Sequence, residues 1–434
     1  MNFENISHFE PRGALRQSLF RVLVSSVFYN TLIRIFGLLA GLACARLLSL
    51  QDYASYMLIL SVTASIENFI DAGPGVVLTR KMGSIGSNQK DAGRLLYTAS
   101  IFKLRSLWIP GALAFAYLSF SMYKSNYRIE AIALSLFIAL LSIIPLSQIR
   151  LFNIFCSGAG IAEPFNRLMA MMELFRFLLV LLVAWCFSEL WMVLFIYTGL
   201  QFLSVRCLST GLVNARIDTK SQVIDLKIWE EMRTVFRQLA HNKVYFMVHS
   251  QVVMGFLYIM GSGAAAAGLS VLSRVMFFLP VFSKVGKQTF VPRMASIKDE
   301  KAAVKYFYRI SLLLTLVFLC ISVLMPLLHF PLIMILGEKY DFIQPIDLLA
   351  MGVGASLSLI GRIMVDLTIA RGWIWFQSRC SLLLYLGLTV FSYLIFDGST
   401  LKGAIWITII QALAVPLEAL GNLWFKNKKY GVIV

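Results

Sequence analysis

From Val22 to Gly83 the chain runs as two long apolar segments, joined by a short turn at Gln51-Asp52 and stopped at Gly73-Pro74-Gly75. Each is long enough to cross the hydrocarbon core of a bilayer, which takes about 20 helical residues. Yet Asn30 and Arg34 sit near the middle of the first, and Glu67, Asn68 and Asp71 interrupt the second. A charge at that depth costs at least about 2.5–3.5 kcal/mol, so such side chains turn towards a partner or a water-filled cavity. The pattern recurs along the rest of the chain. It predicts an all-α polytopic membrane protein with a polar interior.

Composition points the same way. Hydrophobic residues make up 59% of the chain and charged residues 14%, against about 45–50% and about 25% for a soluble domain. The formal charge of +17 would suit nucleic acid in a soluble chain. In one this apolar, Lys and Arg instead anchor loops against anionic lipid, and no nucleic-acid partner is expected. The six cysteines lie within or at the ends of apolar segments, without metal-ligand spacing, and read as small packing residues. No cleavable signal peptide is read before the first span.

About twelve spans are predicted, at 22–47, 52–72, 94–120, 131–155, 164–186, 188–213, 239–260, 264–289, 303–329, 343–369, 373–396 and 401–424. Alternate loops then differ sharply in charge. One set holds Arg80, Lys81, Lys90, Arg94, Arg216, Lys220, Lys284, Lys287, Arg293, Lys298 and Lys301; the other holds only Lys124, Arg128, Lys339 and Lys402. The positive-inside rule makes the first set cytoplasmic and puts both termini inside a plasma membrane. Between the sixth and seventh spans, Leu226, Trp229, Met232, Phe236 and Leu239 recur at helical spacing opposite Lys227, Glu230, Glu231, Arg233 and Arg237. That predicts an amphipathic linker helix lying on the inner membrane surface. The expected organisation is an N-terminal six-helix lobe (1–213), the linker (214–238) and a C-terminal six-helix lobe (239–434). Laying Arg150 on Arg362 also brings Met82, Ser84 and Gly160 onto Met294, Ser296 and Gly372. Two such lobes would be parallel repeats with a binding site between them.

The intramembrane charges are the candidate site. Arg34 with Asn30, Arg274, His249, Lys103 and Arg362 are expected to line a cavity, Arg34 and Arg274 foremost because no acidic residue lies at helical spacing from them. Arg362 and Asp366, four apart, and Glu173 and Arg176, three apart, could equally neutralise each other on a helix face. Arg150 and Arg167 fall near span ends, where they would snorkel to headgroups. Glu67, Asp71 and Asp366 are candidates for ion coupling or gating, or for pairing with basic residues. A cationic cavity attracts phosphate, which guanidinium grips bidentately. A carrier of cationic drugs would want carboxylates instead.

Enzyme chemistry finds little support. Gly286-Lys287 is followed by Gln288 and lacks the upstream glycine of a nucleotide-binding loop, so ATP hydrolysis is not expected. No metal-ligand spacing and no Ser-His-Asp arrangement stands out. The outer loops near 121–130 and 330–344 are too short for the acceptor domain of a membrane glycosyltransferase. No cofactor is predicted beyond a proton or a sodium gradient, and the sequence does not choose between them.

Three stretches resemble one group, the polysaccharide or O-antigen (Wzx-type) flippases of the multidrug/oligosaccharidyl-lipid/polysaccharide (MOP) exporter superfamily. They are Ala45-Arg46-Leu47-Leu48-Ser49-Leu50-Gln51-Asp52-Tyr53 with Asp71-Ala72-Gly73-Pro74-Gly75, the fifth span with Glu173 and Arg176, and Ile335-Leu336-Gly337-Glu338-Lys339-Tyr340 running on to Leu348-Leu349-Ala350. Ala54 replaces the usual glycine, and Asn242 and His249 stand where many relatives carry an acidic residue. The resemblance implies a MATE/MOP-like, V-shaped bundle of two lobes that alternates access. It implies as cargo an isoprenoid diphosphate-linked oligosaccharide, flipped from the inner to the outer leaflet for lipopolysaccharide or another surface polysaccharide. Membrane lipids and the polysaccharide polymerase machinery would be its partners. The rival expectations are a MATE-like drug/cation antiporter, a membrane glycosyltransferase or ligase, and a flippase for the peptidoglycan precursor.

Overall fold

The computed structural model describes residues 15–85, 89–125, 127–158, 162–187, 189–214, 223–276, 279–280, 290–291 and 293–430. Among them there is no strand. The chain divides into two compact units, 1–251 and 252–434. The first contains α1 (Leu15–Leu47), α2 (Leu50–Ile70), α3 (Pro74–Ile85), α4 (Gln89–Ser106), α5 (Trp108–Lys124), α6 (Ile129–Gly158), α7 (Ala162–Phe187), α8 (Leu190–Asn214) and most of α9 (Leu226–Met260). The second contains the end of α9, then α10 (Gly263–Val275), α11 (Glu300–Leu324), α12 (His329–Leu336), α13 (Pro345–Ala370), α14 (Trp375–Arg379), α15 (Ser381–Ile395), α16 (Leu401–Ala412) and α17 (Ala414–Tyr430).

Among the described residues, seven helices or helix runs are long and apolar enough to cross a membrane, and the bent pair α4–α5 makes an eighth. The other expected spans fall on α2 and α9 and on the shorter apolar α10 and α15. Of the eighth expected span, residues 264–276 and 279–280 are described. Exposed apolar side chains such as Leu182 (60%) and Trp185 (78%) are what a lipid-facing helix presents.

Local chemistry sets the breaks. Ser49 caps α2: its hydroxyl accepts the Asp52 amide at 3.0 Å and donates to the Asp52 carboxylate at 2.7 Å. This satisfies an orphan amide and puts negative charge at the helix N-terminus. The expected third span is two helices bent by 43° at Leu107, because Pro110 has no amide for the Ser106 carbonyl and its ring crowds that turn. Pro416 does the same to Ala412 and separates α16 from α17. Pro145 sits inside α6 without ending it.

The linker differs from expectation. Asp225 accepts the amides of Lys227 (2.9 Å) and Ile228 (3.1 Å), and α9 then runs unbroken for 35 residues to Met260. The middle of its apolar stripe packs on protein. Met232 is fully buried in a cluster with Val77, Leu95, Phe102 and Leu151, while Trp229 and Phe236 meet the Phe102 ring edge-on at 4.9 and 6.0 Å between centroids. Gly73 makes the crossing possible, since a Cβ there would come within 2.5 Å of the Met232 carbonyl oxygen. The opposite face carries Glu231, 2.8 Å from Lys81. The amphipathic pattern therefore records packing of α9 on its own unit, through Gln251.

Met232→Ala should leave a cavity under α9 and cost about 2–5 kcal/mol, whereas Leu226→Ala, at a position 75% exposed, should stay within about 0.5 kcal/mol. Unfolding of the purified protein in detergent, followed by denaturant titration, distinguishes the two.

Candidate functional site

A dense group of charges in the first unit lies where α2 ends. Glu67 and Asp71, four residues apart, share one face of that end, with Asn68 beside them. Lys103 comes from the last turn of α4 and Arg150 from α6. The Lys103 ammonium stands 2.8 Å from Asp71 Oδ1 and 3.6 Å from Glu67 Oε1, and donates to the Ser147 carbonyl at 3.2 Å. Arg150 pairs through Nη1 with Glu67 Oε2, lies 3.3 Å from Asp71 Oδ2 through Nε, and donates to Asn68 Oδ1 at 2.6 Å. Two carboxylates thus face two cations, each cation touching both.

The polypeptide is built around this cluster. Gly75 has no room for a side chain, because a Cβ would fall 2.6 Å from Asp71 Oδ2. The Asp71 amide closes the last turn of α2 on Glu67 O at 3.1 Å, which holds the two carboxylates in register. Lys103 is wholly enclosed, whereas the Arg150 side chain is 39% exposed. Beside Asp71 opens a cleft of about 420 Å³, lined also by Gly75, Val76, Thr79 and Arg80.

Two expectations are corrected. Lys103 was expected among the cavity cations, but with its ammonium enclosed between two carboxylates it offers no face to a cargo. Arg150 was expected to snorkel to headgroups, but it turns in towards Glu67 and Asp71. Of the alternatives open for Glu67 and Asp71, pairing with basic residues is realised. Glu173 and Arg176 pair at 2.5 Å, and the Arg176 guanidinium stands 5.3 Å from the centre of the Tyr197 ring.

The remaining candidates are not brought into this cluster. Arg34 and Asn30 are half-buried on α1. Arg274 is half-buried in the last turn of α10. On α13, Arg362 is exposed and Asp366 half-buried, and no ion pair joins them among the described residues. His249 lies on α9, and its side chain, like that of Asn242, falls outside the described residues. A group not singled out from the sequence also appears. The Gln251 amide of α9 donates to Ser65 Oγ at 2.7 Å and to Ser61 Oγ at 2.9 Å, both on α2. With 190 residues between Ser61 and Gln251, no local spacing could have signalled it.

No protein-family model matches the chain, and no curated protein sequence does. Solved structures do share its fold. The MATE transporter VcmN of Vibrio cholerae, in a point-mutant form, is 14% identical, with 96% of this chain and 98% of that one covered and a TM-score of 0.57. The eukaryotic MATE transporter AtDTX14 is 12% identical, with 92% and 96% covered and a TM-score of 0.56. A MOP superfamily transporter from Pyrococcus furiosus is 13% identical, with 96% of each chain covered and a TM-score of 0.55. The chain has the fold of these MATE and MOP transporters.

Lys103→Met should leave Glu67 and Asp71 short of a cation in a desolvated setting and cost about 3–5 kcal/mol. Adding Glu67→Gln should recover part of that loss. Arg150→Ala should cost less, because its guanidinium is partly solvated. Unfolding curves for the single and double variants would show this order, and equal losses for Lys103 and Arg150 would contradict it.

Proposed function

We propose that the chain is a membrane transporter that moves an isoprenoid diphosphate-linked oligosaccharide from the inner to the outer leaflet of a bacterial plasma membrane, by alternating access of the MOP kind. Both termini are cytoplasmic in this reading, as the loop charges indicate. It is a carrier and not an enzyme. One observation carries the choice of cargo: among the described residues of the first unit, the carboxylates deep within the spans, Glu67, Asp71 and Glu173, are each tied to Lys or Arg. A chamber selecting cationic drugs needs carboxylates that the cargo can reach, and these are already neutralised. The sugars and diphosphate of a lipid-linked glycan cannot enter hydrocarbon without substitute hydrogen-bond partners. Arg34 and Arg274 are assigned to the diphosphate, with Asn30, His249 and Arg362 contributing.

A second reading, a MATE-like drug/cation antiporter, has the fold of the neighbours VcmN and AtDTX14 in its favour. Against it stands the ion pairing above. The Pyrococcus furiosus neighbour, described as having a binding pocket of reverse polarity that suggests a different function, supports the view that this fold is not confined to one kind of cargo.

Removing the protein from its cell should cause lipid-linked oligosaccharide to accumulate on the cytoplasmic face while susceptibility to cationic drugs stays unchanged; the opposite pattern would select the antiporter. Arg34→Ala and Arg274→Ala should each weaken export about tenfold or more, the loss of one charged hydrogen bond to the cargo. Normal export by both variants would remove the site assignment and leave the function standing.

A further inference from the structure

Among the described residues, two glutamates are deeply enclosed within apolar helices, and their surroundings are opposite. Glu67 meets the cations Lys103 and Arg150. Glu418, on α17 in the second unit, is 4% exposed, and its hydrogen-bond partner is a phenol: Tyr385 Oη on α15 donates to Glu418 Oε2 at 2.7 Å. The elements packed on α17 carry few charges. These are Asp347, Arg362 and Asp366 on α13, Arg379 on α14 and Lys402 on α16; α15 adds only the phenols Tyr385 and Tyr393, and α17 itself adds Lys426, Lys428 and Lys429. Among the described residues, none brings a cationic nitrogen within 4.0 Å of Glu418. Lys426 is committed elsewhere, 3.0 Å from Glu300, and Arg379 stands over the Trp375 ring at 5.1 Å.

An ionised carboxylate enclosed this way has neither water nor a countercharge to stabilise it, whereas a carboxylic acid needs only one hydrogen bond. One phenol is also too thin an oxygen set for a hard metal cation. A helix break lies beside the residue. Pro416 supplies no amide to the Ala412 carbonyl, so α17 starts afresh less than two turns before Glu418, and broken helices are where membrane carriers place their ion sites.

We infer that Glu418, hydrogen-bonded to Tyr385, is a proton-binding site of the second unit, holding its proton while enclosed and releasing it when the α16–α17 break opens it to water. The site moves ion coupling away from Glu67 and Asp71, whose charges are committed to Lys103 and Arg150. The assignment does not depend on the cargo.

A hydrophobic carbodiimide tests it, because the reagent adds to a carboxyl only in the protonated form and leaves a stable N-acylurea that mass spectrometry locates. The full-length protein in lipid nanodiscs at neutral pH should be labelled at Glu418 about tenfold or more faster than at Glu67, the ratio expected when one carboxyl holds its proton and the other does not. Labelling at Glu418 should fall as the pH is raised. Tyr385→Phe removes a donor to the ionised form, so its labelling should persist to higher pH. Glu418→Gln should abolish the adduct in that peptide. Labelling at Glu418 no faster than at Glu67, or independent of pH, overturns the assignment, and an unshifted profile in Tyr385→Phe removes the phenol from it. A failure here leaves the proposed cargo untouched, and a wrong cargo leaves the labelling unchanged.

Discussion

A carboxylate or ammonium taken out of water loses solvation that a bilayer cannot replace, and the mutual attraction of opposite charges restores it only where the geometry is close and complete. The junction of α2, α4 and α6 is arranged around that condition. Glu67 and Asp71 each touch both Lys103 and Arg150, Ser147 takes a further ammonium proton, and Asn68 takes one from the guanidinium. The glycines of the Gly73-Pro74-Gly75 stop are part of the same arrangement. Gly75 leaves room for the Asp71 carboxylate, and Gly73 lets α9 cross directly over the helix end. Charge neutrality, the end of α2 and the seat of α9 are therefore one structural feature.

Much of the helical framework was legible in the sequence, because hydropathy and caps are local. Ser49 and Asp52 mark the start of α2 and Gly73-Pro74 its end, within two residues of expectation. The bend at Leu107 is legible in Pro110, but the division of the span into two helices is not, because the apolar run continues through it and hydropathy alone does not register a lost amide. The linker was misplaced for a different reason. Trp229, Met232 and Phe236 give the same stripe whether lipid or protein covers them, and only the fold brings Phe102 and Val77 to that stripe.

The candidate site was legible only as a set of residue types. Mid-span charges stand out in any apolar chain, so Glu67, Asp71 and Lys103 were singled out from the sequence. Which charge meets which was not encoded locally: 83 residues separate Glu67 from Arg150. Glu173 and Arg176, one helical turn apart, form a pair that spacing could anticipate, whereas Arg362 and Asp366 at an equally suitable spacing do not pair with each other. Position on a helix face allows a pair, and the neighbouring helices decide whether it forms.

Neutralisation also separates the structural charges from those free to act. Lys103 and Arg176 are committed to carboxylates, so exchanging either with a cargo would mean breaking a desolvated pair at every cycle. Arg150 belongs to the same network but keeps part of its side chain in solvent. Glu418 completes the contrast. With a phenol in place of a cation, it can change charge by gaining or losing a proton, without a partner having to move. The carrier proposed above would use both kinds of group: fixed pairs that hold each unit together, and one charge that can be exchanged.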